Sequence, residues 1–215
     1  MTSSGWIRAR ITASAVLFML LALSCGGGGG SVSSHDASLA NPVNQDICNC
    51  TPTESSIDDY RHDAKHVGLS GPTGTVITVG DILGWTVGAD PGSTATRSGR
   101  ETQMFFVAHA YAQFAQIMTG DCDLHIEISA SADKNAPRVI VETPNDPEYC
   151  DARRALKNAL QVHGFPLSTN SGEIDPPVPV SVLGLAFQDF EHVRGTPQVQ
   201  TTWEIHPAVI TVLPQ

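Results

Sequence analysis

Beyond residue 73 the chain is organised by apolar positions recurring every second residue. "TVITVGDILGW" (75–85) begins as a β-branched alternation and ends in a helical turn. "ETQMFFVAHAYAQFAQIM" (101–118) carries alanines that permit a helix, but Phe105, Val107, Tyr111 and Phe114, with a turn at Gly120, favour a long strand entering a hairpin. Leu124, Ile126 and Ile128 then alternate with polar residues, and "RVIVET" (138–143) is a short apolar run closed by Pro144 and Asn145. The period changes at "CDARRALKNALQVHG" (150–164), where Ala152, Ala155, Leu156, Ala159 and Leu160 share one helical stripe and Gly164 is a natural stop. After a Pro-rich loop, "VPVSVLGLAF" (178–187) and "TTWEIHPAVITVL" (201–213) return to strand character.

This order predicts a mainly β domain: an OB-like five-stranded Greek-key barrel with one α-helix between strands 3 and 4. Closure into a barrel removes the unpaired edges that half-apolar strands would otherwise expose. An immunoglobulin-like sandwich is the competing arrangement, and the helix in mid-sequence counts against it. Residues 73–215 are the size of one domain with one core.

The N-terminal third reads differently. Arg8 and Arg10 precede an apolar core, Ile11 to Leu23, so residues 1–24 read as a secretory signal too short to span a membrane as a mature helix. "ALSC" (22–25) resembles a bacterial lipobox, which implies diacylation of Cys25 and anchoring through lipid. Gly26 rather than Asp after that cysteine implies the outer membrane. Residues 25–72, rich in Gly, Ser, Asn, Asp and Pro, read as a flexible tether. Loss of residues 1–24 would remove two basic residues and no acid, taking the net charge from −10 to −12. That charge opposes unaided binding to nucleic acid. The sole basic cluster, Arg153, Arg154 and Lys157, reads as a solvated helix face.

Besides Cys25 the chain has Cys48, Cys50, Cys122 and Cys150, an even number suited to disulfides in an oxidising compartment. Of three pairings, Cys122 with Cys150 is the expected bridge, and Cys48 and Cys50 have no obvious place.

"TGDCDLHIEI" (119–128) carries the candidate chemistry. Asp123 and His125 share one strand face, as do Glu204 and His206 on the last strand, so convergence of the two strands would give a metal site of two imidazoles and two carboxylates. Asp121, Glu142 and His192 are further candidates. The architectural alternative has His125 and His206 bridging buried polar groups, Asp121 and Asp123 accepting turn amides, and Glu142 and Glu204 facing solvent or pairing with Arg138 or a histidine. Trp85 and Trp203 read as core. Nucleophile-elbow, phosphate-loop, H-E-x-x-H and C-x-x-C motifs are absent.

The segments "DCDLHIEI", "VIVETP", "VSVLGLAFQD" and "WEIHP", in that order, resemble a set of uncharacterised exported bacterial proteins, which implies the barrel and no particular activity. Asp121-Cys122-Asp123 with Arg138 to Pro144 also resembles the thermonucleases of the staphylococcal type. That resemblance implies calcium held by Asp123, Glu142 and the Thr143 carbonyl, with Arg138 near a phosphate. Arg138 stands one residue too close to the acid, and Asn145 occupies the place of the general base. The expectation is a lipid-anchored envelope protein whose barrel binds a small-molecule or protein ligand without catalysis. A zinc- or calcium-dependent hydrolase and a purely structural envelope part are the alternatives.

Overall fold

The computed structural model describes residues 47–53, 60–190 and 195–214, all within a compact unit spanning Asn41–Gln215. The signal segment, Cys25 and His192 lie outside the described residues. The elements run α1 (His62–Lys65), β1 (Thr75–Ile77), α2 (Val79–Leu83), β2 (Met104–Ile117), β3 (Leu124–Ser129), β4 (Arg138–Thr143), α3 (Cys150–Val162), β5 (Glu173–Gln188) and β6 (Val199–Val212).

Strands β2 to β6 close into a five-stranded barrel. Their neighbour order is β2-β3-β4-β6-β5, and β5 pairs back with β2. All contacts are antiparallel except β4 with β6. This is the OB-like barrel, with α3 between its third and fourth strands. β1 joins β2 in parallel over Phe105 to Val107, a stretch that β3, pairing only from Tyr111, leaves uncovered. A bulge between Ala112 and Phe114 re-aims β2 where it passes from β5 to β3. Gln113 at the bulge is buried, and its amide donates to the Ser129 hydroxyl and the Ser131 carbonyl. At Gly184 a Cβ would run into the carbonyl oxygen of Pro207 and a methyl of Ile205, so only glycine lets β5 cross β6 this closely.

The apolar row of each strand fills the interior. Leu124, Ile126 and Ile128 of β3 meet Val139 and Val141 of β4, Ile205 of β6 and Val180 and Val182 of β5. Ala110, Ala112 and Ala115 of β2 make room for these branched side chains. Leu156 and Leu160 of α3 join the same core, and Trp203 packs edge-on against Trp85 at a centroid distance of 5.4 Å.

Four expectations are corrected. Cys122 and Cys150 do not pair with each other: Cys48 bridges to Cys150 and Cys50 to Cys122. The one-residue spacing that made Cys48-Asn49-Cys50 hard to place suits two separate bridges to different elements. Described residues within 25–72, the stretch expected to be a tether, pack against the barrel. Ile47 is buried in the core, and Arg61 and Lys65 in and beside α1 are buried against the barrel. The Pro-rich stretch before Val178 belongs to β5, because its proline positions fall where the ladder with β2 is irregular and need no donor. Arg153 is buried rather than solvated, and its guanidinium donates to the carbonyls of Ile47, Thr143 and Cys122 at 2.7–3.2 Å. It thereby ties three separate segments to α3, while Arg154 keeps half its side chain exposed.

Candidate histidine–carboxylate centre

Strands β3, β4 and β6 carry a second row on the face turned away from the apolar core. Register pairs His125 with Glu142, Glu127 with Ile140 and Ser129 with Arg138, and places Ile140 opposite Glu204. Cross-strand partners share a face, so the polar residues of three strands converge. Ile140 and Phe187 on this face are buried yet stand outside the core cluster. A polar row in a barrel strand ordinarily meets water, but all six residues of β3 and all six of β4 are buried.

The cover is the segment around α1 with the loop before β2. The guanidiniums of Arg61 and Arg97 and the Lys65 ammonium lie 4.7, 5.4 and 5.8 Å from the Phe187 ring centroid. Arg97 also donates to the backbone carbonyls of Ala64, Ala186 and His206. Arg61 is locked by a two-pronged pair with Glu101, at 2.7 and 2.8 Å.

His206 is the centre of the arrangement, with no solvent exposure. Its Nε2 lies 3.3 Å from Asp123 Oδ2, and its Nδ1 lies 3.1 Å from Glu142 Oε2 and 3.7 Å from Glu204 Oε2. Neither ring nitrogen makes an aligned hydrogen bond, and Asp123 Oδ2 also lacks one. The carboxylates approach the ring closely but off its N–H directions. The second histidine, His125, holds Glu142 Oε1 at 2.7 Å through Nδ1, with its Nε2 3.6 Å from Glu127 Oε1.

Burial alone would push the His206 imidazolium down, but Asp123 and Glu142 outweigh it and raise its pKa to about 9. His125 likewise reaches about 9, burial being overcome by Glu127 and Glu142. Glu142 is held well below the ordinary carboxylate range, because the two histidines overcome its own burial. Asp121 moves the other way, to about 6, through burial and then the like charges of Asp123 and Glu142.

The predicted set Asp123, His125, Glu204 and His206 is thus gathered around one region, and Glu142 joins it as the link between the histidines. Asp121 stays at the rim, accepting the Asp123 amide at 2.9 Å, while Asp123 Oδ1 accepts the Asn145 amide at 2.9 Å. Of the two alternatives for Glu142 and Glu204, facing solvent is excluded, since 8 % and 1 % of their surfaces are exposed, while pairing with a neighbouring histidine holds for Glu142. Glu142 pairs with histidines rather than with Arg138. Arg138 is held by Glu127 at 3.1 Å and by Glu173 at 2.8 and 3.0 Å, and the Thr143 carbonyl accepts from Arg153. Neither group is positioned as the thermonuclease resemblance implies.

Sequence reasoning missed Glu127. Beside its 3.6 Å contact with His125, it accepts from Arg138 and from the Thr196 amide and hydroxyl at 2.6 and 2.5 Å, fastening the turn that leads into β6. Its place two residues after His125, on the same strand row, was the available signal. No family model, curated protein or solved structure matches this chain.

Proposed function

We propose that this chain is an exported, lipid-anchored envelope protein whose OB-like barrel is a binding module without catalytic activity. The observation that carries this reading is the burial of the acid–histidine centre around His206. Asp123 and His206 are fully buried and Glu204 is 1 % exposed, which holds these three side chains away from any substrate. General acid–base chemistry needs hydrogen-bond reach to a reacting atom, and these side chains are turned to one another and to the Asn145 amide.

Binding is left to the surface that covers the centre. A cavity of about 600 Å³ opens beside α1, its walls including Arg61, His62, Val67, Ser93 and Arg97. Its size suits a small-molecule ligand or a peptide side-chain cluster. The N-terminal segment supports the anchor, through the basic and apolar signal and the lipobox-like "ALSC" ending at Cys25.

Two measurements test the reading. Metabolic labelling with a radioactive fatty acid should mark the wild type and not Cys25→Ser, and absence of label from both overturns the anchor. A photo-crosslinking residue at position 62 should capture a saturable ligand in envelope fractions, while one at position 162 on the exposed end of α3 should not. Hydrolysis of a broad substrate panel that disappears in His206→Gln would overturn the non-catalytic reading.

A further inference from the structure

We propose that Asp123, Glu142 and one ring nitrogen of His206 hold a zinc-like divalent ion in a closed site between the barrel and its α1 cover. The candidate ligand atoms of these three residues all lie within 4.8 Å of one another. Ligands at the usual Zn–N and Zn–O distances of about 2.0–2.2 Å stand roughly 3.4 Å apart in a tetrahedron, so shifts below an ångström bring the set into register.

The second, independent observation is the orphaned polarity of His206. It is completely buried and aimed between two carboxylates, yet neither nitrogen has a hydrogen-bond partner in line with it. Asp123 Oδ2, the nearest oxygen to Nε2, is orphaned as well. Buried polar atoms left unsatisfied are costly, and an ion bound to one ring nitrogen and a facing carboxylate oxygen would satisfy that nitrogen and that oxygen together, leaving the other ring nitrogen to carry its N–H. An off-line approach of carboxylate to imidazole is poor geometry for an N–H···O bond and ordinary geometry for two ligands of one ion.

The surroundings hold the ligands in place. His125, through its 2.7 Å contact with Glu142 Oε1, fixes the carboxylate whose other oxygen faces His206. The Asn145 amide does the same for Asp123 through Oδ1. Such outer partners orient ligands and hold their geometry. The imidazole donor selects zinc or a neighbouring first-row ion over calcium, which takes oxygen ligands. Burial of all three ligands leaves no route for a substrate to the ion, so this inference stands alongside a non-catalytic barrel.

The test uses the full-length chain, refolded with its disulfides oxidised, in zinc chloride or in excess chelator. After gel filtration the zinc-refolded protein should carry one ion per chain, show imidazole coordination by X-ray absorption, and melt at a higher temperature than the chelator-refolded protein. The isosteric variants Asp123→Asn and Glu142→Gln should weaken zinc binding by about 100-fold or more, and His125→Gln by about 10- to 100-fold, the range for outer partners. Glu173→Gln, remote from the site, should bind as the wild type. If His206→Ala fails to fold, the two isosteric variants decide alone. A folded wild type that retains no stoichiometric zinc and shows no melting shift overturns the proposal, as does wild-type zinc binding in both Asp123→Asn and Glu142→Gln.

Discussion

His125 and Glu142, facing each other across β3 and β4, meet at 2.7 Å with both side chains almost wholly buried. Glu142 then turns its second oxygen to His206, so one carboxylate links histidines from the second and fifth barrel strands. Replacing His125 by Ala leaves that carboxylate buried with half its compensation. The expected loss is about 3 kcal/mol, at the low end for breaking a buried pair because His206 remains. Urea denaturation of His125→Ala, Glu142→Ala and the double variant checks it. The double variant should lose less than the sum of the single losses.

Arg61 and Glu101 form a second buried pair, on the cover. Burial would raise the Glu101 pKa, but Arg61 and the Gln188 amide overcome it and hold it below the ordinary value. A carboxylate depressed in the folded state contributes stability above its unfolded pKa, about 4.3, and that contribution is lost as pH falls through the folded value. Wild type should therefore lose stability on acidification below about pH 4, and Glu101→Gln should lose less over the same window. Arg61→Ala at neutral pH should cost about 3–5 kcal/mol, since it strands the carboxylate. Thermal melts across pH 3–7 measure both.

Non-reducing peptide mapping should recover Cys48 joined to Cys150 and Cys50 joined to Cys122. A peptide joining Cys122 to Cys150 would contradict the fold. In the chain-entropy account one bridge closing a loop this long is worth about 4–5 kcal/mol and the second, nested with it, about 3–4, so Cys150→Ser should lower the denaturation midpoint even with Cys50–Cys122 intact.

Gly184→Ala asks β5 to move away from Pro207 and Ile205. The expected loss is about 1–3 kcal/mol, the range for overpacking, read by denaturant unfolding. Gly80→Ala is the control. At this exposed position of α2 a Cβ meets nothing closer than the Thr78 hydroxyl at 3.6 Å, so no loss from crowding is expected there.

The barrel was legible because its strands alternate. Leu124, Ile126 and Ile128 announce an inward face, and α3 announces itself by a change of period. Asp123, His125, Glu204 and His206 were legible as a set because residues two apart on a strand share a side. Their burial was not legible. The cover is built from α1 and the loop around Arg97, whose composition is that of a linker, and it is held by Arg61 and Arg97 bonding to groups far away in sequence. Periodicity carries no signal for such contacts. The same reason hid Arg153, which looks like one more helix-surface cation until three distant carbonyls are seen converging on it. Cysteine pairing was undetermined because four cysteines admit three connectivities, and only the approach of residues 47–50 to α3 and the β3 turn selects one.

The two bridges are nested, Cys50–Cys122 lying within the span of Cys48–Cys150. A single peptide bond cut anywhere between Cys50 and Cys150 leaves at least one bridge across the break. Such a clipped molecule remains one covalent body, and the segment that seals His206 stays leashed to the barrel after the backbone that carried it there has been severed.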